Sequence, residues 1–352
     1  MSEPVLSARG IRKTHDVLLM FNEPNPAATT LSWNRPLKLR WTPDYFADTG
    51  AVNPAARRFD RERVAAIHEW LDFLGAAMRR EGGTGYLDYF DLPHSFDWTQ
   101  GRWCHDYGGL GYCNDELLPC LGLWQAFFIT GREDAFTLAR AMTRHVMDVD
   151  CRHIGPAAGF GSRHNVNHWG DQCHETRISQ PIGKRFLYYL TGDRSVLDLA
   201  QVFLAATTRR FTPARVTNGT CDAPAIVSNL LFARETGLAD TTEWLRRIAD
   251  ALAEAVDETG RMAASVELDA ARRTARPVPG EAPIRLMMFG SFGGPQTYIE
   301  LAETLDHEPL RGALTRFLRY QLQPRHLRRR DERVEAAALS DRWATTILAD
   351  LV

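Results

Sequence analysis

Three times along the chain a helical stretch ends in Thr-Gly and a second helical stretch begins at once. These joints are Ile129-Thr130-Gly131-Arg132-Glu133-Asp134, Leu190-Thr191-Gly192-Asp193-Arg194 and Glu235-Thr236-Gly237-Leu238. The helices that follow carry Leu138-Ala139, Leu199-Ala200 and Ile248-Ala249. Glycine after a last helical turn supplies the left-handed cap, and the polar residue beyond it can cap the next helix. So short a joint forces its two helices to run antiparallel. Repeated hairpins of this kind predict a helical array, and five or six of them fit the chain. The expected fold is mainly α, an (α/α)6 toroid, with a plain helical bundle as the alternative.

The periodicity extends this reading. Val64, Ile67, His68, Leu71, Phe73, Leu74 and Met78 recur at helical steps and stop at Gly82-Gly83. Further helices are predicted over 116–130, 133–149, 176–191, 195–211, 222–237, 241–258, 295–305, 309–321 and 332–350. Residues 1–55 differ: Val17-Leu18-Leu19-Met20-Phe21 reads as a strand, and Pro24, Pro26, Pro36 and Pro43 follow, with Trp33 and Trp41. This is expected to be an extended, partly β arm lying across a helical body formed by residues 56–352.

Composition removes several functions. A net charge of −2 gives no general attraction to a polyanion, and the basic run 325–333 is broken by Asp331 and Glu332, so no nucleic-acid partner is expected. Lys13, Lys38 and Lys184 are the only lysines, which leaves few candidates for Schiff-base chemistry. The six cysteines form neither a C-x-x-C pair nor a zinc spacing. Without an apolar signal core or membrane span, a cytoplasmic, reduced protein with no membrane partner is expected.

Two long aperiodic segments interrupt the helices, 86–114 and 151–177, and long loops within compact domains are usually functional. The first holds Tyr86, Tyr89, Phe90, His94, Phe96, Trp98, Trp103, His105, Asp106, Tyr107, Tyr112 and Asn114. Aromatic planes beside polar groups suit a sugar, although the same rings can simply plug a toroid's centre. The second holds Arg163-His164-Asn165-Val166-Asn167-His168-Trp169-Gly170-Asp171, then His174-Glu175-Thr176-Arg177. Three uses compete for it. His164, His168 and His174 could hold a divalent metal, though the surrounding Gly and Asn disfavour the helix that this spacing needs. The histidines could instead form a structural network with the backbone. The preferred reading is a site for a carboxylate-bearing substrate, clamped by Arg163 and Arg177, with His164 or His168 titrating near neutrality; no cofactor is then required.

His145-Val146-Met147-Asp148-Val149-Asp150, the Arg163 to Gly170 run, Tyr188-Tyr189-Leu190-Thr191-Gly192-Asp193 and Arg12-Lys13-Thr14-His15-Asp16-Val17-Leu18-Leu19 together resemble the exo-rhamnogalacturonan lyase-like, or YetA-like, family. The similarity covers most of residues 10–210. It implies an (α/α)6 toroid acting on a uronic-acid-containing glycan by β-elimination. Two departures stand out. Family enzymes usually carry β-sandwich domains on both sides, whereas residues 1–55 offer at most a remnant of one; and 109–116 and 173–176 look altered, so a changed substrate or lost activity is open.

For elimination, Arg163 and Arg177 would bind the uronate carboxylate, His164 or His168 would act as base, and Tyr107 or His105 would protonate the leaving oxygen. Asn114, Asn165, Asn167, Trp103, Trp169 and Glu175 would complete the substrate contacts. A glycoside hydrolase on the same toroid, of the unsaturated-uronyl type, would instead draw two carboxyl groups from Asp106, Asp115, Glu116, Asp171 and Glu175. A non-catalytic sugar-binding or scaffold protein is the third reading. In each case the partner is a small oligosaccharide or glycoside. The Gly-rich stretch 285–295 lacks the Gly-Lys-Ser/Thr of a phosphate loop and reads as a connection.

Overall fold

The computed structural model describes residues 10–34, 42–49, 61–85, 95–97, 99–100, 102–104, 115, 118–162, 174–219, 221–284, 289–290 and 292–321. Short helices α1 (Pro26–Asn34) and α2 (Pro43–Asp48) precede the long α3 (Arg61–Glu81) and a small antiparallel hairpin of β1 (Ser95–Asp97) and β2 (Arg102–Cys104). The body continues with α4 (Pro119–Thr130), α5 (Glu133–His145), α6 (Thr176–Ser179), α7 (Pro181–Thr191), α8 (Ser195–Arg210), α9 (Asp222–Glu235) and α10 (Thr242–Glu254). It closes, within the described residues, with α11 (Gly294–Thr304) and α12 (Glu308–Gln321). Strands β3 (Ala214–Thr217), β4 (Ser265–Asp269) and β5 (Thr274–Pro277) form an antiparallel sheet in the order β3-β4-β5 that packs on α10.

The helices fall into two rows, and sequence explains which helix joins which. Helix α9 buries every residue from Ala223 to Ala233, which only a helix covered on all sides can do. Helix α10 instead buries Trp244, Leu245, Ile248, Ala249 and Leu252 on one stripe and turns its charges to water. The inner row is α4, α7, α9 and α11, each touching the next; the outer row is α5, α8, α10 and α12, each packed on its own inner partner. Trp124 illustrates the seam: it is fully buried, its Nε1 donates to Thr143 Oγ1 at 3.0 Å, and it meets the Phe136 ring edge-on at 5.6 Å. Polar ties bind the inner row as well. Arg185 of α7 pairs with Glu300 of α11, and the Tyr189 hydroxyl donates to Glu235 of α9 at 2.6 Å.

The three Thr-Gly joints form as expected. Gly131, Gly192 and Gly237 have φ of 65°, 72° and 71°, and the Gly131 and Gly192 amides close the last turns on Phe127 and Tyr188. Because each inner helix reaches its outer partner through a short joint, the long connections all return to the opposite end, where the inner helices begin.

Several expectations need correction. The helix expected over 176–191 is broken at Gln180, which has ψ 141°, because Pro181 lacks an amide proton and bars helical backbone before it. The helix expected over 133–149 ends at His145 and passes into a π-helical turn, Val146–Asp150. Val17 to Phe21 pair with no strand among the described residues and are largely exposed, and a helix, α1, follows them. Strands β4 and β5 lie between the helices expected over 241–258 and 295–305, where no strand was expected, although Ser265-Val266-Glu267-Leu268-Asp269 alternates as a strand does. The helix expected over 332–350 lies outside the described residues.

Candidate functional site

The inner helices start alike. Pro119, Pro181 and Pro295 stand in the first turns of α4, α7 and α11, where a missing amide proton costs nothing. Left-handed residues Leu118, Cys221 and Gly293, with φ of 56°, 62° and 77°, turn the chain into α4, α9 and α11. These starts meet: a Cβ on Gly293 would lie 2.6 Å from Leu118 Cδ1 and 3.3 Å from Ile182 Cδ1. The Cys221 thiol donates to the Phe289 carbonyl at 3.5 Å, bringing α9 to the same place.

The segment 163–173 is rooted here. Gly161 and Glu175 exchange backbone hydrogen bonds of 2.9 and 3.1 Å, and Cys151 bridges Gly161 from its other side. A Cβ on Gly161 would lie 2.2 Å from Ile178 Cβ, so only glycine lets this root press against α6. The Ser162 amide donates to the Asp150 carbonyl at 2.8 Å and its hydroxyl to Asp150 Oδ1 at 3.2 Å, with His145 Nε2 3.7 Å from Oδ2. The run carrying Arg163, His164, Asn165, Asn167, His168 and Trp169 thus leaves from a pinned residue and returns to one. Those six residues themselves lie outside the described ones, as do His105, Tyr107 and Asn114; of Trp103 only the strand backbone is described.

Arg177, the second residue of α6, is 6% exposed. Its Nη1 lies 2.5 Å from Glu175 Oε2, and its guanidinium stands 5.1 Å over the Phe292 ring. Glu175 therefore orients Arg177, which sequence alone did not suggest. His174 turns its ring edge to Phe160, while its carbonyl accepts from Arg210 at 2.7 Å. Among the described residues no group of three or more His, Cys, Asp or Glu is arranged to hold a metal; His164 and His168 are not among them.

Other buried polar groups lie on the same helices, and of these the sequence had named only Lys184 and Asp115, without pairing them. Asp222 accepts from Thr176 and, at 2.7 Å, from Thr217, tying α6, β3 and α9 together. Tyr298 donates to Asn218 Oδ1 at 2.6 Å. Lys184 is 1% exposed and donates to Asp115 Oδ2 at 2.9 Å, while Asp115 also accepts from the Cys120 amide at 3.0 Å and thiol at 2.9 Å. Burial alone would lower the pKa of Lys184, but the Asp115 carboxylate more than offsets it and the net shift is upward. Burial pushes the Cys151 thiol up to about 11 and raises Cys120 and Cys221 well above the ordinary range, so these three are inert near neutrality. The Asp-Val-Asp motif divides its labour. Asp148 holds the N-terminal arm, accepting from Arg12 Nε at 2.9 Å and from the Thr14 amide and hydroxyl at 2.7 and 2.9 Å, whereas Asp150 anchors Ser162.

Two rows of antiparallel helices, with long connections gathered where the inner row begins, define an α/α toroid. A family model described as the PcRGLX-like protein C-terminal alpha/alpha toroid domain matches residues 38–349, and the chain belongs to that family. The uncharacterized protein YetA of Bacillus subtilis (strain 168) is 32% identical over 326 residues, covering 84% of this chain and 37% of that protein. The chain thus spans well under half the length of this relative. The family read from the motifs is borne out. No described helix is long and apolar enough to cross a membrane.

Proposed function

We propose that this toroid cleaves a uronic-acid-containing glycan by β-elimination at the end where its inner helices begin. What carries the reading is the rooting of segment 163–173 at Gly161 and Glu175, beside the oriented guanidinium of Arg177. A proton alpha to a carboxylate is too weakly acidic to remove while the carboxylate keeps its full charge. Arg163 and Arg177 would neutralise it and stabilise the enolate-like charge that develops. His164 or His168 would take the proton, the electron pair would form the new carbon–carbon double bond, and the glycosidic carbon–oxygen bond would break. Tyr107 or His105 would protonate the departing oxygen. Trp103 and Trp169 would stack on sugar faces, with Asn114, Asn165 and Asn167 on hydroxyls.

Of the carboxylates that hydrolysis would draw on, the two described ones are otherwise engaged: Asp115 is committed to Lys184 and Cys120, and Glu175 to Arg177. Asp106, Glu116 and Asp171 lie outside the described residues. A pinned Glu175 contributes to substrate binding through the arginine that it orients. Mass spectrometry of the products of short uronate oligosaccharides is the test. Elimination yields one fragment lighter by one water than hydrolysis would, and Arg163→Ala removes turnover with helical content unchanged. Hydrolytic masses, or full activity in Arg163→Ala, would refute this assignment.

A further inference from the structure

We infer that Arg12 and Thr14 are positioning residues for Arg177. The N-terminal segment fixes the π-helical turn Val146–Asp150, and that turn fixes the backbone from which Glu175 orients the guanidinium. The inference rests on the reading of Arg177 as the group that meets the substrate carboxylate. Segment 10–14 grips the turn at both ends. The Asp148 carboxylate accepts from Arg12 Nε and from the Thr14 amide and hydroxyl, and the Asp148 carbonyl accepts from the Arg12 amide at 2.7 Å. Beyond the turn, the His153 amide donates to the Gly10 carbonyl at 2.8 Å. Gly10 sits so close that a Cβ there would stand 2.8 Å from the Ile154 carbonyl oxygen. Asp148 is 5% exposed, so without Arg12 a buried carboxylate would lose the cation that meets its charge.

A π turn needs such a hold. Its bonds span five residues, as in the 3.0 Å bond from the Cys151 amide to the Val146 carbonyl, and turns of this kind are rare and recur at functional sites. Relaxing it to α-helical bonding would shift by one residue the point at which the chain leaves α5. The backbone that follows is in register with that point. The Arg152 amide donates to the Phe160 carbonyl at 2.9 Å, the Ser162 amide to the Asp150 carbonyl at 2.8 Å, and Gly161 exchanges its bonds with Glu175. Cys151, Gly161 and Glu175 thus lie side by side in three adjacent stretches of chain. The turn also bears on α6 directly: the Cys151 thiol donates to the Ile178 carbonyl and accepts from the Ser179 hydroxyl, each at 3.7 Å. A slip at the turn therefore passes through this ladder to the carboxylate that aims Arg177. Arg12 and Thr14 act at its far edge, through Asp148 and not on substrate.

Hydrogen–deuterium exchange of the full chain, resolved to single amides, tests the coupling without substrate. Arg12→Ala/Thr14→Ala should speed exchange at Gly161, Ser162 and Glu175 by about tenfold or more, as loss of charge-assisted hydrogen bonds does to a local opening, while the amides of α10 stay as they are. Thr14→Ser keeps the hydroxyl and should exchange as the native chain does. On uronate oligosaccharides the double variant should lower kcat/KM by a similar factor, because a misaimed group costs rate. In a Glu175→Gln background the same pair of substitutions should cost little more, since the two changes break one linkage. Unchanged exchange at those three amides, a rise that extends equally to α10, or losses that simply multiply with Glu175→Gln would overturn the inference. A native chain without elimination activity would refute the proposed function instead, and the exchange rates would still decide the coupling.

Discussion

Lys184 is one of three lysines in the chain, and water does not reach it. It is spent on Asp115, 69 residues away, so that a buried charge on α7 meets the turn that starts α4. Removing one member of such a pair strands the other without solvent, at about 3–5 kcal/mol, so Lys184→Met should lower the melting temperature sharply. Adding Asp115→Asn should recover a good part of that loss; a double variant as unstable as the single would show that the pairing is not the cause. His153 gives a pH-dependent case. Its Nε2 lies 2.6 Å from the Met147 carbonyl, and burial, opposed by that carbonyl, holds its pKa below the ordinary 6.5. The unfolded chain then takes up the proton first as pH falls, so His153 withdraws stability below about pH 6.5 and nothing above it. Thermal melts of His153→Gln should lose part of the fall in stability between about pH 7 and about pH 5. Neither pairing was legible in the sequence. The scarcity of lysine was visible and excluded a chemistry, but a partner so distant in the chain leaves no local pattern.

At the scale of elements, glycines set how closely helices approach. A Cβ on Gly183 would lie 2.7 Å from Cys120 Sγ and 2.9 Å from the Leu121 nitrogen, so α7 can come this close to the start of α4 only because residue 183 carries no side chain. Gly183→Ala should cost about 1–3 kcal/mol in chemical denaturation by forcing the two apart. Gly192 meets nothing, and only its φ of 72° matters. Gly192→Ala should therefore cost roughly 1–2 kcal/mol, and Gly192→Asn less, because asparagine tolerates the left-handed region. A loss at Gly183 no larger than at an exposed helical site would contradict the packing account. The joints were legible because a helix cap is a local device. Pro181 was equally local and was overridden by the apolar period running through it, whereas the unbroken apolar run Val17 to Phe21 signalled a strand without supplying a partner strand among the described residues.

For the whole molecule, the toroid followed from the repeated hairpins, and the two aperiodic segments marked the end where the inner helices begin because the short joints exhaust the other end. The site was legible only as composition. That Arg177 is backed by Phe292 depends on two stretches more than a hundred residues apart meeting, which no spacing announces, and that Glu175 orients it depends on the bend at the start of α6. Activity without a metal is expected to survive prolonged chelation; loss restored by a divalent cation would instead assign His164, His168 and His174 to a metal. The central claim is that the protein makes a double bond. Incubation with uronate-containing oligosaccharides, followed by ultraviolet absorbance, measures this directly. A rise from the conjugated unsaturated uronate, absent in Arg163→Ala, is predicted; cleavage without that rise, or its disappearance from substrates already unsaturated, would contradict elimination.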